Sequence, residues 1–222
     1  MEHETKLYLI TPPRLVDPAA FLQTLESVLS TEAVTAVQLR LKAEDNITAD
    51  LAAMREIADD FVSLVQSSQA VAIMNDSAEL AETSGADGVH LGQRDGSIKE
   101  ARARLGDDAI IGATCHDSRH LAMVAGEEGA AYVAFGAFFP TDTKHTEHRP
   151  DPDILTWWQE VMEIPCVAIG GINIDNAPGL IRAGADFLAV SSGLWAHPDG
   201  PSAGALAFKA VIDANLTAHE TS

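Results

Sequence analysis

One unit recurs along the chain: a helical segment ends at a glycine, and a short apolar strand begins two or three residues later. Three copies read nearly alike, at Gly85-Ala-Asp-Gly-Val-His-Leu-Gly92, Gly129-Ala-Ala-Tyr-Val-Ala-Phe-Gly136 and Gly184-Ala-Asp-Phe-Leu-Ala-Val190. Glycine suits the left-handed conformation in which many helices end. The repeat therefore predicts a regular alternation of helix and strand.

Other apolar segments predict further strands at 7–10, 34–39, 71–74, 110–113 and 166–169, which makes eight in all. Most are apolar on both faces, as parallel strands covered by helices are. Apolar residues spaced by three or four predict amphipathic helices between them, around 21–29 and 51–65 for example. Asp17-Pro18 and Asp151-Pro152 each predict a helix start, and a last helix is predicted over 202–215.

Eight strand and helix units in 222 residues fit one α/β domain, a single (β/α)8 TIM barrel over 1–222 with a polar tail at about 216–222. A doubly wound sheet would want a glycine-rich phosphate loop after an early strand, whereas the first turn reads Thr11-Pro12-Pro13. In such barrels the catalytic groups lie at the carboxyl ends of the strands.

The charge balance narrows the class of partner. The chain has 33 acidic and 14 basic residues and a net charge of −19, which argues against a nucleic-acid partner because such proteins need a basic face. No apolar run approaches the roughly 18 residues of a membrane span, and the first residues lack the features of a secretory signal. With both cysteines in apolar strand-like segments, we expect a cytoplasmic protein without a membrane partner.

The second predicted strand ends in alternating polar residues. Gln38, Arg40 and Lys42 share one face, while Leu39 and Leu41 face the helices. Three such side chains, successive ones roughly 6.6 Å apart, suit an extended anion such as a diphosphate. An ordinary solvated strand end is the alternative.

Two aspartates follow the next two strands. Asp76 comes after the third strand and Asp95 after the fourth, so both belong to the same rim of the barrel. Mg²⁺ takes one or two carboxylates and fills its other positions with waters and substrate phosphates. The alternative, which spacing alone favours, is that each aspartate caps the helix after it.

A phosphate site is expected where the last three strands end. Residues 141–149 form a long hydrophilic loop with threonine and lysine donors, and its histidines, His145 and His148, are interpreted as solvated. Small residues at 170–171 and 191–193 free backbone N–H groups where barrels often bind phosphate. Elsewhere, Cys115 is interpreted as a packed thiol and His90 as a hydrogen-bonded interior histidine.

Together these motifs resemble the thiamine-phosphate synthase family, from Leu7 to about Trp195. The resemblance is carried by the segments at 38–42, 75–76, 88–95, 140–144 and 169–172. It implies the (β/α)8 barrel, and a reaction that joins 4-amino-5-hydroxymethyl-2-methylpyrimidine diphosphate to a thiazole phosphate, giving thiamine phosphate and diphosphate. The small-molecule partners are thus phosphorylated substrates; the oligomeric state stays open, a homo-oligomer included.

The resemblance also implies roles for individual residues. The pyrimidine diphosphate would be held by Gln38, Arg40, Lys42, Asn75 and Lys144, with the three basic residues acting in catalysis, and Asp76 and Asp95 would bind the Mg²⁺ cofactor. Thr114 stands where the family commonly has a serine beside the pyrimidine. The thiazole phosphate would meet Thr141, Thr143, Gly171, Ser191 and Ser192. Leu41 and Ala43 depart from the family's usual residues.

Three other functions stay open. A thiazole tautomerase shares the barrel but tends to lack residues equivalent to Gln38, Asp76 and Asp95, all present here. A Schiff-base aldolase would want a buried lysine on a strand, and the sixth strand instead ends at Gly136. A non-catalytic thiamine-phosphate binder is the third.

Overall fold

The computed structural model describes residues 4–45, 48–140 and 148–216. Within them, eight parallel strands pair in sequence order and the last closes on the first, so the predicted (β/α)8 barrel is confirmed. The strands are β1 (Lys6–Ile10), β2 (Val34–Leu39), β3 (Val71–Asn75), β4 (Gly88–Leu91), β5 (Ile110–His116), β6 (Tyr132–Gly136), β7 (Cys166–Ile169) and β8 (Phe187–Val190).

Helices follow each strand and cover the outside of the barrel. They are α1 (Pro18–Leu29), α2 (Leu51–Ser67), α3 (Ala78–Ser84), α4 (Ile98–Leu105), α5 (Arg119–Glu127), α6 (Asp153–Val161), α7 (Ala177–Arg182), α8 (Ser192–Trp195) and α9 (Pro201–Leu216). None of the helices in the described ranges is long and apolar enough to cross a membrane.

Two predicted helix ends differ from the structure. The helix expected to start at Pro152 begins at Asp153, although the Asp151 carboxylate still accepts a hydrogen bond from the Asp153 N–H at 3.0 Å. The last helix, predicted over 202–215, spans Pro201–Leu216, and residues 217–222 of the predicted tail lie outside the described residues. As predicted, Asp17 caps α1 by accepting from the Ala20 N–H at 3.0 Å.

The recurring glycines have the backbone conformation that the repeat predicts, with φ of +69° at Gly85, +91° at Gly129 and +97° at Gly184. Two of the three copies add an aspartate that ties neighbouring strands together. The Asp87 carboxylate accepts from the Ala72 N–H in β3, and the Asp186 carboxylate accepts from the Cys166 N–H in β7, each at 2.7 Å. The repeat thus encodes both the end of a helix and the lateral pairing of strands.

Buried side chains form two layers. One lies between the strands and the helices and includes Trp158, Phe61 and Phe135. The other fills the barrel interior and includes Tyr8, Ile73 and Tyr132. Because the strands are parallel, their carboxyl ends all open at one end of the barrel, and the candidate site is built there.

Candidate active site

The chain beyond β2 stays extended because its backbone is held on both sides. Thr11, which follows β1, accepts from the Arg40 N–H at 2.9 Å and donates to the Arg40 carbonyl at 3.2 Å. The Lys42 N–H donates to the Pro13 carbonyl at 2.8 Å, and the Leu41 carbonyl accepts from the Asp50 N–H at 3.0 Å. The alternation of side chains therefore continues past the strand, and Leu41 is buried in the outer layer with Leu39, as predicted.

Lys42 and Asp76 form an ion pair at the mouth of the barrel, in which Lys42 is buried and Asp76 is partly buried. The Lys42 Nζ lies 2.7 Å from Asp76 Oδ2, and the two side chains are 7% and 16% exposed. For Lys42 the alternative of an ordinary solvated strand end is therefore wrong. Burial lowers the pKa of Arg40 from its ordinary value, and the negative charge of Asp76 opposes that shift. All three charged groups thus belong to one electrostatic site.

Asp76 and Asp95 lie within hydrogen-bonding reach of each other. Partial burial raises the pKa of Asp95, and the charge of Asp76 and the hydrogen bond between the two carboxyl groups raise it further. The alternative that they cap helices is wrong, because Ser77 caps α3 and Ser97 caps α4. Asp95 instead accepts from the Gly92 N–H at 3.0 Å within its own loop.

This pair of carboxylates fits a hard divalent cation. Two like charges pressed together are stabilised by a cation between them, and Mg²⁺ needs only one or two carboxylates when phosphates and waters complete its shell. In the described part of the chain, no group of three or more histidine, cysteine, aspartate or glutamate side chains is placed to hold a metal. Two carboxylates alone suit a metal whose remaining ligands are waters and phosphate oxygens.

Asn75, at the end of β3, carries an unsatisfied donor. Its side chain is 3% exposed, and its Nδ2 has no hydrogen-bond partner among the described residues. Buried amide groups in proteins are nearly always paired. The donor of Asn75 is therefore open to an acceptor that comes from outside the described residues.

Gln38 begins a chain of hydrogen bonds that crosses the barrel interior. Its Nε2 donates to the Tyr8 hydroxyl at 2.9 Å, and the Tyr8 and Tyr132 hydroxyls are 2.9 Å apart. The Tyr132 hydroxyl lies 2.9 Å from His90 Nδ1, and His90 Nε2 lies 2.8 Å from Thr114 Oγ1. His90 is thus an interior histidine with both ring nitrogens hydrogen-bonded, as predicted.

The loops after the last three strands pack closely at the expected thiazole-phosphate site. Gly171 has φ +63°, and a Cβ there would collide with the Pro140 carbonyl and with Phe139. Ser191 Oγ donates to the Thr11 carbonyl at 3.3 Å, and Ser192 begins α8. Thr11 therefore contacts both the Arg40 segment and the Ser191 segment.

Part of the predicted site lies outside the described residues, namely Thr141, Thr143 and Lys144, and also His145. For His148, at the end of the same loop, the sequence predicts a solvated side chain. It is half exposed, and its Nδ1 lies 3.0 Å from Asp117 Oδ1.

Sequence reasoning missed three residues that support the site: Thr11, Tyr8 and Tyr132. Tyr8 and Tyr132 did carry a signal, since each places a polar hydroxyl next to apolar residues of its strand. Thr11 carried none, because a threonine in a turn is ordinary.

Comparison with known proteins identifies the family and supports the barrel fold. The family described as thiamine monophosphate synthase matches residues 7–194. A thiamine-phosphate synthase of Rhodospirillum centenum is 56% identical over 94% of this chain and 98% of its own, and one of Hyphomonas neptunium is 52% identical over 94% of both. A solved structure of thiamine phosphate pyrophosphorylase from Pyrococcus furiosus superposes with a TM-score of 0.81 at 31% identity, covering 97% of this chain and 98% of that one.

Proposed function

We propose a two-step mechanism by which this chain, which belongs to the thiamine monophosphate synthase family, makes thiamine phosphate. The pyrimidine diphosphate first loses its diphosphate, and the thiazole nitrogen then captures the pyrimidine cation. The carbon–oxygen bond of the diphosphate ester breaks heterolytically, so negative charge accumulates on the departing diphosphate. No nucleophilic side chain is required. The main task of the protein is to stabilise that charge and to align the two reactants.

One observation carries the proposal: Lys42, Asp76 and Asp95 meet at the open end of the barrel, with Arg40 in the same electrostatic site. Asp76 holds the Lys42 ammonium at 2.7 Å, in a position fixed by the backbone contacts of the segment after β2. Positive groups fixed in advance need little reorganisation when the diphosphate leaves. We expect Arg40, Lys42 and Lys144 to contact the phosphates, and Gln38, Asn75 and Thr114 to hold the rest of the pyrimidine substrate.

Asp76 and Asp95 are the residues that would hold Mg²⁺. When bound there, the ion supplies positive charge to the diphosphate oxygens. The raised pKa of Asp95, caused by partial burial and by the Asp76 carboxylate, supports the assignment because a cation relieves this repulsion.

We place the thiazole phosphate at Gly171, Ser191 and Ser192, with Thr141 and Thr143 from the loop after β6. The positive φ of Gly171 and its lack of a Cβ support this placement, since they let the loop after β7 pack directly against residues 139–140 and so bring the loops after β6 and β7 together. Ser191 contacts Thr11, which also holds Arg40. Both halves of the site are thereby joined through one residue.

We further propose that the enzyme acts in the cytoplasm on small phosphorylated substrates, without a nucleic-acid or membrane partner. The net charge of −19 supports the first exclusion, because a strongly acidic protein repels a polyanion. The local cluster of Arg40 and Lys42 provides the attraction that anionic substrates need.

The direct test is to mix the purified chain with both substrates and measure thiamine phosphate with and without Mg²⁺. We expect turnover that requires Mg²⁺, and a loss of at least about 100-fold in kcat/KM for Asp76→Ala and for Lys144→Ala. Lys209→Ala is the matched control, because Lys209 is half exposed on α9 and pairs with Asp213. Electron-withdrawing substituents on the pyrimidine should slow the chemical step steeply.

Several results would contradict the proposal. Full activity in EDTA would remove the metal assignment, and a rate indifferent to pyrimidine substituents would remove the cationic intermediate. Isomerisation of the thiazole without diphosphate release would favour the tautomerase, and tight binding of thiamine phosphate without turnover would favour the non-catalytic binder.

A further inference from the structure

The hydrogen-bonded chain inside the barrel joins two residues that we expect to contact the pyrimidine. Gln38 lies at one end and Thr114 at the other, and Tyr8, Tyr132 and His90 connect them through contacts of 2.8–2.9 Å. Each side chain comes from a different strand: β2 (Gln38), β1 (Tyr8), β6 (Tyr132), β4 (His90) and β5 (Thr114). The three connecting residues are not among those expected to contact either substrate.

The hydrogen bonds of this network run in one direction, because each proton in the network needs an acceptor. Gln38 Nε2 can only donate, so the Tyr8 hydroxyl accepts from it and donates its own proton to Tyr132. Tyr132 then donates to His90 Nδ1, which leaves the proton of the imidazole on Nε2, facing Thr114 Oγ1. Burial raises the pKa of both tyrosines, so each keeps the proton that this order requires.

The reverse order leaves a donor without an acceptor. If His90 donated from Nδ1 and Tyr132 donated to Tyr8, the Tyr8 hydroxyl would accept twice, and its own proton would have no acceptor among the described residues. Tyr8 is 3% exposed, so water does not readily replace the missing acceptor. A buried donor without a partner is costly, and only a rotation of the Gln38 amide would avoid it.

The imidazole is also held in one orientation by packing. Its ring stacks on the Tyr132 ring with centroids 5.6 Å apart and an interplanar angle of 18°. Gly112 pairs in register with both residues, and a Cβ there would collide with the Tyr132 ring. The glycine therefore provides the space in which this stacked pair forms.

We propose that His90 is a positioning residue that donates from Nε2 to Thr114 Oγ1, so that the Thr114 hydroxyl donates its own proton to a ring nitrogen of the substrate's pyrimidine. The inference rests on the proposed function, because it assumes that the pyrimidine lies against Thr114. On this proposal, Tyr8, Tyr132 and His90 help the enzyme to discriminate between substrates. A ring nitrogen accepts a hydrogen bond, whereas the exocyclic amine donates, so the direction of the chain selects what Thr114 recognises.

The test compares His90→Asn with His90→Gln in the full-length enzyme. Asparagine matches the reach of Nδ1 but not of Nε2, whereas glutamine places an amide donor near Nε2. For His90→Asn we expect KM for the pyrimidine diphosphate to rise roughly 10- to 100-fold. KM for the thiazole phosphate and inhibition by inorganic diphosphate should stay within about twofold, and His90→Gln should recover much of the loss.

Two analogues, each with one ring nitrogen of the pyrimidine replaced by C–H, test the direction. Wild type should bind one of them roughly tenfold or more weakly than the parent compound, and His90→Asn should bind that analogue and the parent about equally. Tyr132→Phe should weaken the discrimination in the same sense and serves if His90→Asn fails to fold. Thr5→Val is the matched control, because it removes another buried hydrogen bond, from Thr5 Oγ1 to the Ala185 carbonyl at 2.7 Å.

Three outcomes would overturn the inference. Unchanged KM and unchanged discrimination in His90→Asn would show that Thr114 needs no positioning, and an equal loss for both substrates would show a merely structural role. If wild type tolerates both analogues but rejects a pyrimidine without the exocyclic amine, Thr114 accepts a hydrogen bond from that amine, and the hydrogen bonds run in the opposite direction. Wild type that makes no thiamine phosphate at all refutes the proposed function first, and the inference with it.

Discussion

Asp76→Asn and Asp95→Asn should affect stability differently although both should abolish metal-dependent activity. Asp76 is the partner of the buried Lys42 ammonium, whereas Asp95 lies in a conformation in which burial and the Asp76 carboxylate disfavour its charge. Removing the first charge leaves a buried cation without its nearest partner. Removing the second relieves repulsion, and the asparagine carbonyl still accepts from the Gly92 N–H.

The magnitude follows from the geometry of the pair. At 2.7 Å, an effective dielectric constant near 20 gives about 6 kcal/mol of gross attraction, most of which offsets the desolvation of the two side chains. Asp95 also interacts favourably with Lys42 and replaces part of the lost charge. We therefore expect Asp76→Asn to lower the free energy of unfolding by roughly 1–3 kcal/mol, and Asp95→Asn to change it by less than about 0.5 kcal/mol.

The assay is urea unfolding at pH 7 in EDTA, followed by circular dichroism, and then repeated with Mg²⁺ and inorganic diphosphate. At a ligand concentration ten times its Kd, wild type should gain about 1.4 kcal/mol, and neither variant should gain measurably. Glu82→Gln is the matched control, because Glu82 and Arg104 form an ion pair of 2.6 Å whose side chains are 48% and 46% exposed. Its loss should stay below about 1 kcal/mol.

Equal losses for Asp76→Asn and Glu82→Gln would refute the claim that burial makes the Lys42 pair important. Stabilisation of Asp95→Asn by magnesium diphosphate to the same extent as wild type would remove Asp95 from the metal site. A large loss of stability for Asp95→Asn in EDTA would show that its charge is favourable in the folded protein, against the direction of its pKa.

Three further predictions concern buried groups. Asn75→Leu should leave the free energy of unfolding within about 1 kcal/mol of wild type, because the replaced amide carries an unpaired donor. The same variant should raise KM for the pyrimidine diphosphate at least about tenfold. A loss of stability without a change in KM would contradict this prediction. Burial raises the pKa of Cys115 and of Cys166 to about 12, so native protein at pH 8 should not react with a thiol reagent that modifies both cysteines in urea. The thiols ionise near pH 9 in the unfolded protein but not in the folded protein, so the free energy of unfolding should fall as the pH rises from 9 to 12. The fall is up to about 1.4 kcal/mol per pH unit for each thiol. Urea titrations at pH 8 and pH 10 measure it.

Most of the fold could be predicted because each unit carries its own local signal. Gly85, Gly129 and Gly184 all adopt positive φ, and the strands that follow them are among the eight of the barrel. The carboxyl ends of parallel strands share one end of a barrel, so Asp76 and Asp95 could be assigned to the same rim from the order of the strands.

Details that depend on a single hydrogen bond could not be predicted. Spacing favoured Asp76 and Asp95 as helix caps, but Ser77 and Ser97 take that role one and two residues later. A serine and an aspartate are almost equally good caps, so propensity does not separate them. The tertiary contact with Lys42 decides the role of Asp76, and no local pattern contains it.

The hydrogen-bonded network inside the barrel could not be predicted for a different reason, and that reason bears on function. In a parallel strand buried on both faces, apolar alternation does not reveal which face points into the barrel, so the hydroxyls of Tyr8 and Tyr132 can be noticed in the sequence but not placed against each other. Their hydroxyls meet across 124 positions of sequence, and each would be costly to bury without the other and its neighbours. The polar atoms that the barrel core must satisfy are therefore the same atoms that connect Gln38 to Thr114. A substitution at either tyrosine should consequently alter substrate discrimination as well as packing, although neither residue is expected to touch the substrate.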